Sequence, residues 1–359
     1  MSTPTAGRLL IVGNPDPVHV GAHFHRAAAS MGLPVEISDV RRAYEGPVWK
    51  RRADWWIRGH RPSRLSEYSR DVVSAAAAGG TTMLLATGIA PVEPAALDAL
   101  GRLGVWRACF LTDDPWNPAH AAPWFLEALP GYDLVFSPRR ANLDDLIRAG
   151  VRRVEYLPFA FDPATHFPDP PRSDEEWSQY KADIMFAGNG DADRARIVGA
   201  LAEAGLSVAV YGQYWDRFPE TRSLAHHMLD QAELRRATAS GKVALLLVRR
   251  ANRDGNSMRT FEVPAMRACP LVEDTADHRE LFGEERDLTC YFTDERDVVA
   301  QATALLGDPR RRRALADHAY TRITAGGHTY RDRLAAMLTF AERSAGANRA
   351  ADSGTLSRI

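Results

Sequence analysis

Short apolar runs rich in branched side chains recur along the chain, each closed by glycine, asparagine, aspartate or proline and followed by a stretch with helical spacing. That pattern predicts parallel strands buried on both faces and joined by helices. Arg8 to Val12 is the first such strand. It ends at Gly13-Asn14-Pro15-Asp16, a helix from His19 to Met31 follows, and Val35 to Ile37 completes a βαβ unit. Helices are expected at Trp49 to Ile57 and from Ser63, as N-cap, to Ala78. Strands are expected at Met83 to Ala86, at Val105 to Thr112 (broken by Asp113-Asp114-Pro115-Trp116), at Leu134 to Phe136 and at Val154 to Leu157, with a helix at Asn142 to Ala149. A proline-rich polar segment, Pro158 to Ser173, then interrupts the alternation as a linker.

Beyond it the alternation restarts. Strands are predicted at Asp183 to Ala187, Ser207 to Tyr211, Val243 to Val248 and Leu271-Val272. Helices are predicted at Ala192 to Ala204, Asp230 to Ala239, Arg259 to Ala268, from Thr275, Asp297 to Leu306, Pro309 to Ile323 and His328 to Arg343. The reading is an α/β protein with two Rossmann-like domains, 1–165 and 174–327, facing each other across a cleft. The 328–343 helix crosses back to the first domain, and residues 344–359 form a flexible tail.

Composition narrows the class. A chain of 359 residues, 45% hydrophobic and 25% charged, is long enough for two cored domains. Its net charge of −1 gives no basic face for nucleic acid. Cys109, Cys269 and Cys290 are widely spaced and lack a CxxC pair, which suits a reducing compartment and argues against disulfides or structural zinc. No run approaches a membrane span, and no signal peptide is recognisable at the N-terminus, so a soluble cytoplasmic protein is expected. Nothing in the sequence fixes an oligomeric state.

The stretch carrying most chemistry is Arg253 to Glu262, directly after the Val243 to Val248 run. Ligands of open α/β sheets sit there, outside the carboxyl ends of the strands. Asp254-Gly255-Asn256-Ser257 offers a turn and N-cap groups whose amides are able to meet an anion. Glu262, eight residues after Asp254, is a carboxylate suited to the vicinal hydroxyls of a ribose. Ordinary turn chemistry and a solvated helix glutamate explain the same residues less sharply. Gly188-Asn189-Gly190 and Gly212 allow backbone to approach phosphates, or are plain strand–helix turns.

Several motifs together resemble the GT-B glycosyltransferases. Tyr156-Leu157-Pro158-Phe159-Ala160-Phe161-Asp162-Pro163 is similar to their interdomain hinge. Phe186-Ala187-Gly188-Asn189, Val210-Tyr211-Gly212, Arg259-Thr260-Phe261-Glu262 and His328-Thr329-Tyr330-Arg331-Asp332-Arg333 resemble the C-terminal domain of the CgeB-like, spore-maturation branch, within glycosyltransferase group 1. The resemblance implies transfer of a sugar from a nucleotide-diphosphate-sugar donor, bound by the C-terminal domain, to an acceptor bound by the N-terminal one. It implies no other cofactor, with a UDP-sugar favoured over dTDP or GDP donors. The family's paired acids are usually both glutamate, so Asp254 departs from the pattern while Glu262 keeps it. On this resemblance Gly188, Asn189, Gly212, Arg249, Asp254, Gly255, Asn256, Ser257, Arg259 and Glu262 bind the donor, the arginines meeting phosphate. Gly212, Gln213 and Tyr214 lie where the family places the nucleobase, and the acidic pair resembles that of retaining families.

Catalytic groups are sought in the first domain. Asp113 and Asp114 end a strand, point opposite ways, and so offer at most one carboxylate to an acceptor, capping the Pro115 turn being the alternative. His19 lies nearest the first loop. No DxD motif stands in a suitable loop, so no metal is expected, the leaving phosphate being met by arginines and helix N-termini. Trp55, Trp56 and Trp116 are expected to pack between helices, with stacking on a sugar or aromatic acceptor as the alternative. A GT-B protein that binds without turnover, and a sugar-nucleotide epimerase, are the alternatives of other classes.

Overall fold

The apolar runs form two parallel sheets of six strands, one in each of two units of the chain. The computed structural model describes residues 7–284 and 288–356. One unit comprises Met1–Pro158 with Tyr330–Ile359, the other Phe159–Thr329.

The first unit runs β1 (Arg8–Gly13), α1 (Val20–Ser30), β2 (Val35–Asp39), α2 (Val48–Ile57), α3 (Leu65–Gly79), β3 (Thr81–Thr87), α4 (Pro94–Arg102), β4 (Trp106–Phe110), α5 (Pro123–Ala128), β5 (Leu134–Ser137), α6 (Leu143–Arg148) and β6 (Val154–Tyr156). Strand order is β2-β1-β3-β4-β5-β6, with every pair parallel. The central strands are buried on both faces (Leu10, Val12, Leu84, Ala86 and Val135 line one layer of core), which is why their sequences run apolar without alternation. Parallel order also puts the carboxyl end of every strand on the same sheet edge, where the loops after β1, β2 and β4 collect.

The second unit runs α7 (Asp174–Tyr180), β7 (Ala182–Ala187), α8 (Ala192–Glu203), β8 (Val208–Tyr211), β9 (Ala225–His226), α9 (Gln231–Ser240), β10 (Gly241–Leu246), α10 (Met258–Ala265), β11 (Pro270–Glu273), α11 (Ala276–Phe282), β12 (Cys290–Phe292), α12 (Glu295–Gly307) and α13 (Pro309–Ala325). Its order, β12-β11-β10-β7-β8-β9, is again parallel throughout. Between β10 and β8 lies β7, so the loops after these three strands are neighbours.

The last helix, α14 (Tyr330–Leu356), belongs to the first unit. Tyr330 stacks on His23 of α1, with ring centres 4.8 Å apart, and meets Phe24 edge-on. Further along, Phe340 sits against Phe136 of β5, and Arg333 Nε donates to the Pro158 carbonyl at 2.9 Å. Among the described residues, no helix is long and apolar enough to cross a membrane.

The structure differs from the sequence expectations in a few elements. Ser63 does not cap α3: the N-cap position is Arg64, and the Ser63 carbonyl accepts from Lys50 instead. The helices α4 and α5 each begin on a proline at the first helical position, a start that apolar spacing alone does not reveal. Residues 344–356, expected to form a flexible tail, continue α14 to Leu356. The final three residues of that segment lie outside the described residues.

Candidate functional site

Every donor-side residue singled out in the sequence lies at the carboxyl ends of β7, β8 and β10 or on the helices that follow. After β7, Gly188 donates its amide to the Tyr211 carbonyl and Gly190 to that of Gln213, while the Asn189 side chain accepts from the Gln213 amide at 3.0 Å. The loops after β7 and β8 are therefore zipped together. Gly212 makes this possible: its φ is +145°, and a Cβ there would collide with the Gly188 carbonyl. That same carbonyl accepts from the indole of the fully buried Trp215 at 2.8 Å.

Arg194, on the first turns of α8, fastens the β7 loop to the β10 loop. Its buried guanidinium donates to the carbonyls of Asn189 (3.0 Å), Val248 (3.2 Å) and Leu247 (3.4 Å), and lies over the Phe186 ring. Burial, with help from the neighbouring Arg249 charge, pulls its pKa down to about 10, so it stays charged at neutral pH. Asp191, the N-cap of α8, stands 3.6 Å from Arg194 and 3.7 Å from Arg249. Arg249 is thus held at the rim of the loop with about a quarter of its side chain exposed.

The Arg253 to Glu262 stretch forms a tight left-handed turn and then α10. Arg253 has φ +52°, and the Asp254 carboxylate accepts from the Arg249 amide at 3.3 Å. Gly255 packs so closely on Asp277 that no side chain fits, and Asn256 donates to the same carboxylate at 2.9 Å. Ser257 is the N-cap of α10, but its amide donates to Thr260 Oγ1. The expectation that the Gly255, Asn256 and Ser257 amides all turn outward to an anion is therefore corrected for Ser257, whose N–H the helix's own first turn uses. Thr260 in turn meets His278 Nε2 at 2.9 Å, and His278 Nδ1 donates to the Glu273 carbonyl at 2.7 Å. Full burial holds this imidazole neutral, its pKa pushed down to about 4.

Glu262 is buried on α10, ion-paired with Arg259 one turn before it and 3.6 Å from His166 Nε2. Arg259 also donates through Nε to the Ala187 carbonyl at the end of β7 (2.9 Å) and keeps about a third of its side chain exposed. The two arginines expected at the donor are thus both held within the protein, Arg259 by Glu262 and Arg249 by Asp191. Beside them, past the end of β8, a cavity of about 480 Å³ is lined by Gly212, Gln213, Tyr214, Trp215, Asp216, Ala225 and His226. Tyr214 is in the left-handed region (φ +74°), half exposed, with the Arg217 guanidinium 4.1 Å above its ring.

The first unit separates its three candidates. His19 is exposed at the N-cap of α1, and its pKa is lowered by desolvation against the raising effect of Asp16. Asp113 follows β4, takes a hydrogen bond from Thr112 and faces His120 at 3.6 Å. Asp114 is buried and accepts from the Trp116 amide, the turn-capping use that its place before Pro115 suggests. Asp113 is the more open carboxylate. Since β3 lies between β1 and β4, His19 and Asp113 rise from strands that are not neighbours.

Sequence reading missed Arg194, His166 and His120. Arg194 and His166 act on groups far along the chain (Arg194 on carbonyls 53 and 54 residues away), so spacing carried no signal for them, whereas His120 faces an aspartate on its own loop. An arginine inside the otherwise apolar buried face of α8 is the one clue that was available.

Residues 194–339 match a family model described as glycosyl transferase-like, a span that runs from within α8 through β10 and α10. No curated protein matches the sequence. Solved structures match over nearly the whole chain. A trehalose-6-phosphate synthase is 13% identical with a TM-score of 0.65, covering 94% of this chain and 99% of that one. The Anabaena protein HepE in complex with UDP-glucose is 13% identical with a TM-score of 0.61, covering 92% and 99%. A sucrose-phosphate synthase from Thermosynechococcus elongatus is 12% identical with a TM-score of 0.61, covering 95% and 99%. Two Rossmann-like units, each on a six-stranded parallel sheet, give this chain the GT-B fold.

Proposed function

We propose that the protein is a glycosyltransferase of the CgeB-like kind that moves a sugar from a nucleotide-diphosphate-sugar, a UDP-sugar first among candidates, to an acceptor hydroxyl. The observation that carries this reading is Glu262, a buried carboxylate at the carboxyl ends of β7 and β10, paired with a partly exposed arginine beside zipped glycine loops. A ribose diol donates two hydrogen bonds to such a carboxylate, and Arg259 and Arg249 give permanently charged contacts to the diphosphate. The cavity beside Gly212 and Tyr214 suits a flat base. In transfer, the β-phosphate leaves as an anion, and preorganised guanidinium groups stabilise it most where their charge is fixed in advance. Asp113, facing His120, is the group proposed to receive or orient the acceptor proton, with His19 at the first loop as a further contact. Retention of configuration accords with the Asp254/Glu262 pair, and the trehalose-6-phosphate synthase among the matched structures belongs to work on glycosyl transfer with retention.

A second reading, a nucleotide-binding protein without turnover, is favoured by one contact. Asp254 turns its carboxylate onto its own loop amide, where a longer glutamate would reach outward. Calorimetry against UDP, GDP, dTDP and CDP, with Mg²⁺ and with EDTA, tests the donor site. Tight, metal-indifferent binding of one nucleotide that Glu262→Gln weakens roughly ten- to a hundredfold is the expected result, and silence from all four refutes it. Hydrolysis or transfer from the matching nucleotide sugar then separates enzyme from binder, and a gain of turnover in Asp254→Glu favours the binder.

A further inference from the structure

Helix α2 carries its chemistry outward. Positions 48, 51, 52, 55 and 56 share one helical face, and with Tyr44, Arg61 and Ser63 they line a cavity of about 360 Å³ at the carboxyl end of β2. Trp56 is 78% exposed and Trp55 39%, whereas Trp215 and Trp124 are buried. The expectation that these tryptophans pack between helices is thereby overturned for Trp56. An exposed indole beside a bounded cavity leaves a large apolar face for a ligand to cover.

The charges complete the pattern. Asp54 points to the other side of α2, is buried, and binds Lys50 (2.6 Å) and Arg58 (3.2 Å). Arg61 pairs with Glu93 at 2.7 Å. Arg51 and Arg52 have no carboxylate partner among the described residues, and no acidic side chain lines the cavity. Two unneutralised guanidinium forks beside indole rings suit one kind of ligand, a ring with an attached carboxylate or phosphate.

The wall is also tied to the candidate base. The Trp55 ring lies 4.4 Å from that of His60, whose Nδ1 meets the Ala121 carbonyl at 2.9 Å, and Trp124 donates back to the His60 carbonyl at 3.3 Å. Ala121 adjoins His120, the partner of Asp113. His60 is held in the left-handed region (φ +59°), a conformation that non-glycine residues adopt only where contacts enforce it.

We infer that this cavity is the acceptor-recognition site and takes a small anionic ring compound, stacked on Trp55 and Trp56 with its acid on Arg51 and Arg52. The assignment of the ligand as acceptor rests on the glycosyl-transfer reading; the recognition itself does not. Tryptophan fluorescence titration of the full chain tests it with 4-hydroxybenzoate and glucose 6-phosphate as probes, against phenol and glucose. Saturable quenching by one of the anionic probes, at least tenfold weaker for its neutral counterpart, is expected, and whichever anion wins tells an aromatic acid from a sugar phosphate. Arg51→Ala/Arg52→Ala should weaken it at least tenfold while leaving the thermal melt in place. Equal response to neutral and anionic probes, no response to either anion, or a response only to phosphatidylglycerol vesicles overturns the inference, the last marking α2 as a membrane-facing helix. UDP calorimetry on the same double variant keeps the readings apart: unchanged UDP binding is expected, and loss of UDP binding in the parent sinks the donor site without touching the fluorescence result.

Discussion

The loops of the second unit and the outer face of α2 both concentrate arginine, yet they use it in opposite ways. In the second unit four guanidinium groups near the strand ends already have protein partners: Arg194 has three carbonyls, Arg249 has Asp191, Arg250 has Glu273, and Arg259 has Glu262. On α2 the one acid is turned inward, and Arg51 and Arg52 stand with exposed indoles and, among the described residues, no carboxylate. A site for a chemically constant group, such as a nucleoside diphosphate, gains by being rigid before the ligand arrives. A site that discriminates among acceptors gains by leaving its charges for the ligand to neutralise. Pairing within the protein therefore separates arginines fixed in advance, which a constant ligand meets already placed, from arginines left for a variable ligand to neutralise.

The comparison breaks most visibly at Arg194. Arg194→Met should cost about 3–5 kcal/mol, because it strands buried carbonyls that one charged group now satisfies. In a unit of this size that is roughly a 10 °C fall in Tm, readable by calorimetry. If Arg194→Met melts like the parent, the arginine is no framework residue.

Acid should act next. The folded pKa of His278, about 4, lies below the roughly 6.5 of a free imidazole, so its contribution is complete above that range and is lost as pH falls towards 4. The loss amounts to about 3 kcal/mol. Denaturant melts at pH 7.5, 5.5 and 4.5 should show that slope, and His278→Gln should flatten it.

Glu262→Gln should weaken nucleotide binding by roughly ten- to a hundredfold, the worth of hydrogen bonds to a charged acceptor. Asp113→Asn, by contrast, should leave nucleotide binding unchanged and remove turnover. The smallest stability effects belong to α2: Arg51→Ala and Arg52→Ala should each stay within about 0.5 kcal/mol of the parent. A larger loss would mean that these arginines hold the fold after all.

Much of the fold was legible because both faces of each sheet are covered, so the central strands read as apolar runs. The edge strands β9 and β12, two and three residues long, bury too little to leave such a run. In the site, the Asp254 to Glu262 spacing was readable because both residues lie on one turn and the helix it opens. The contacts that decide their states were not: Glu262 is met by His166 from a proline-rich segment far upstream, and Asp254 folds back onto Arg249. The cavity at α2 was visible as a cluster of tryptophan and arginine, but only three-dimensional pairing shows which arginines are spoken for.

The return of α14 to the first unit also sets a timetable for synthesis. The sheet of that unit is complete in sequence by Tyr156, yet its α1 face waits for Tyr330 and its β5 side for Phe340. At about 5–20 residues per second, the second unit takes roughly ten to thirty seconds to emerge. During that interval the nascent first unit shows an uncovered apolar surface around His23, Phe24 and Phe136, while the unit made later can close first. A ribosome stalled before residue 330 would therefore hold a first unit that still lacks its last helix, the stage at which a chaperone has most to bind.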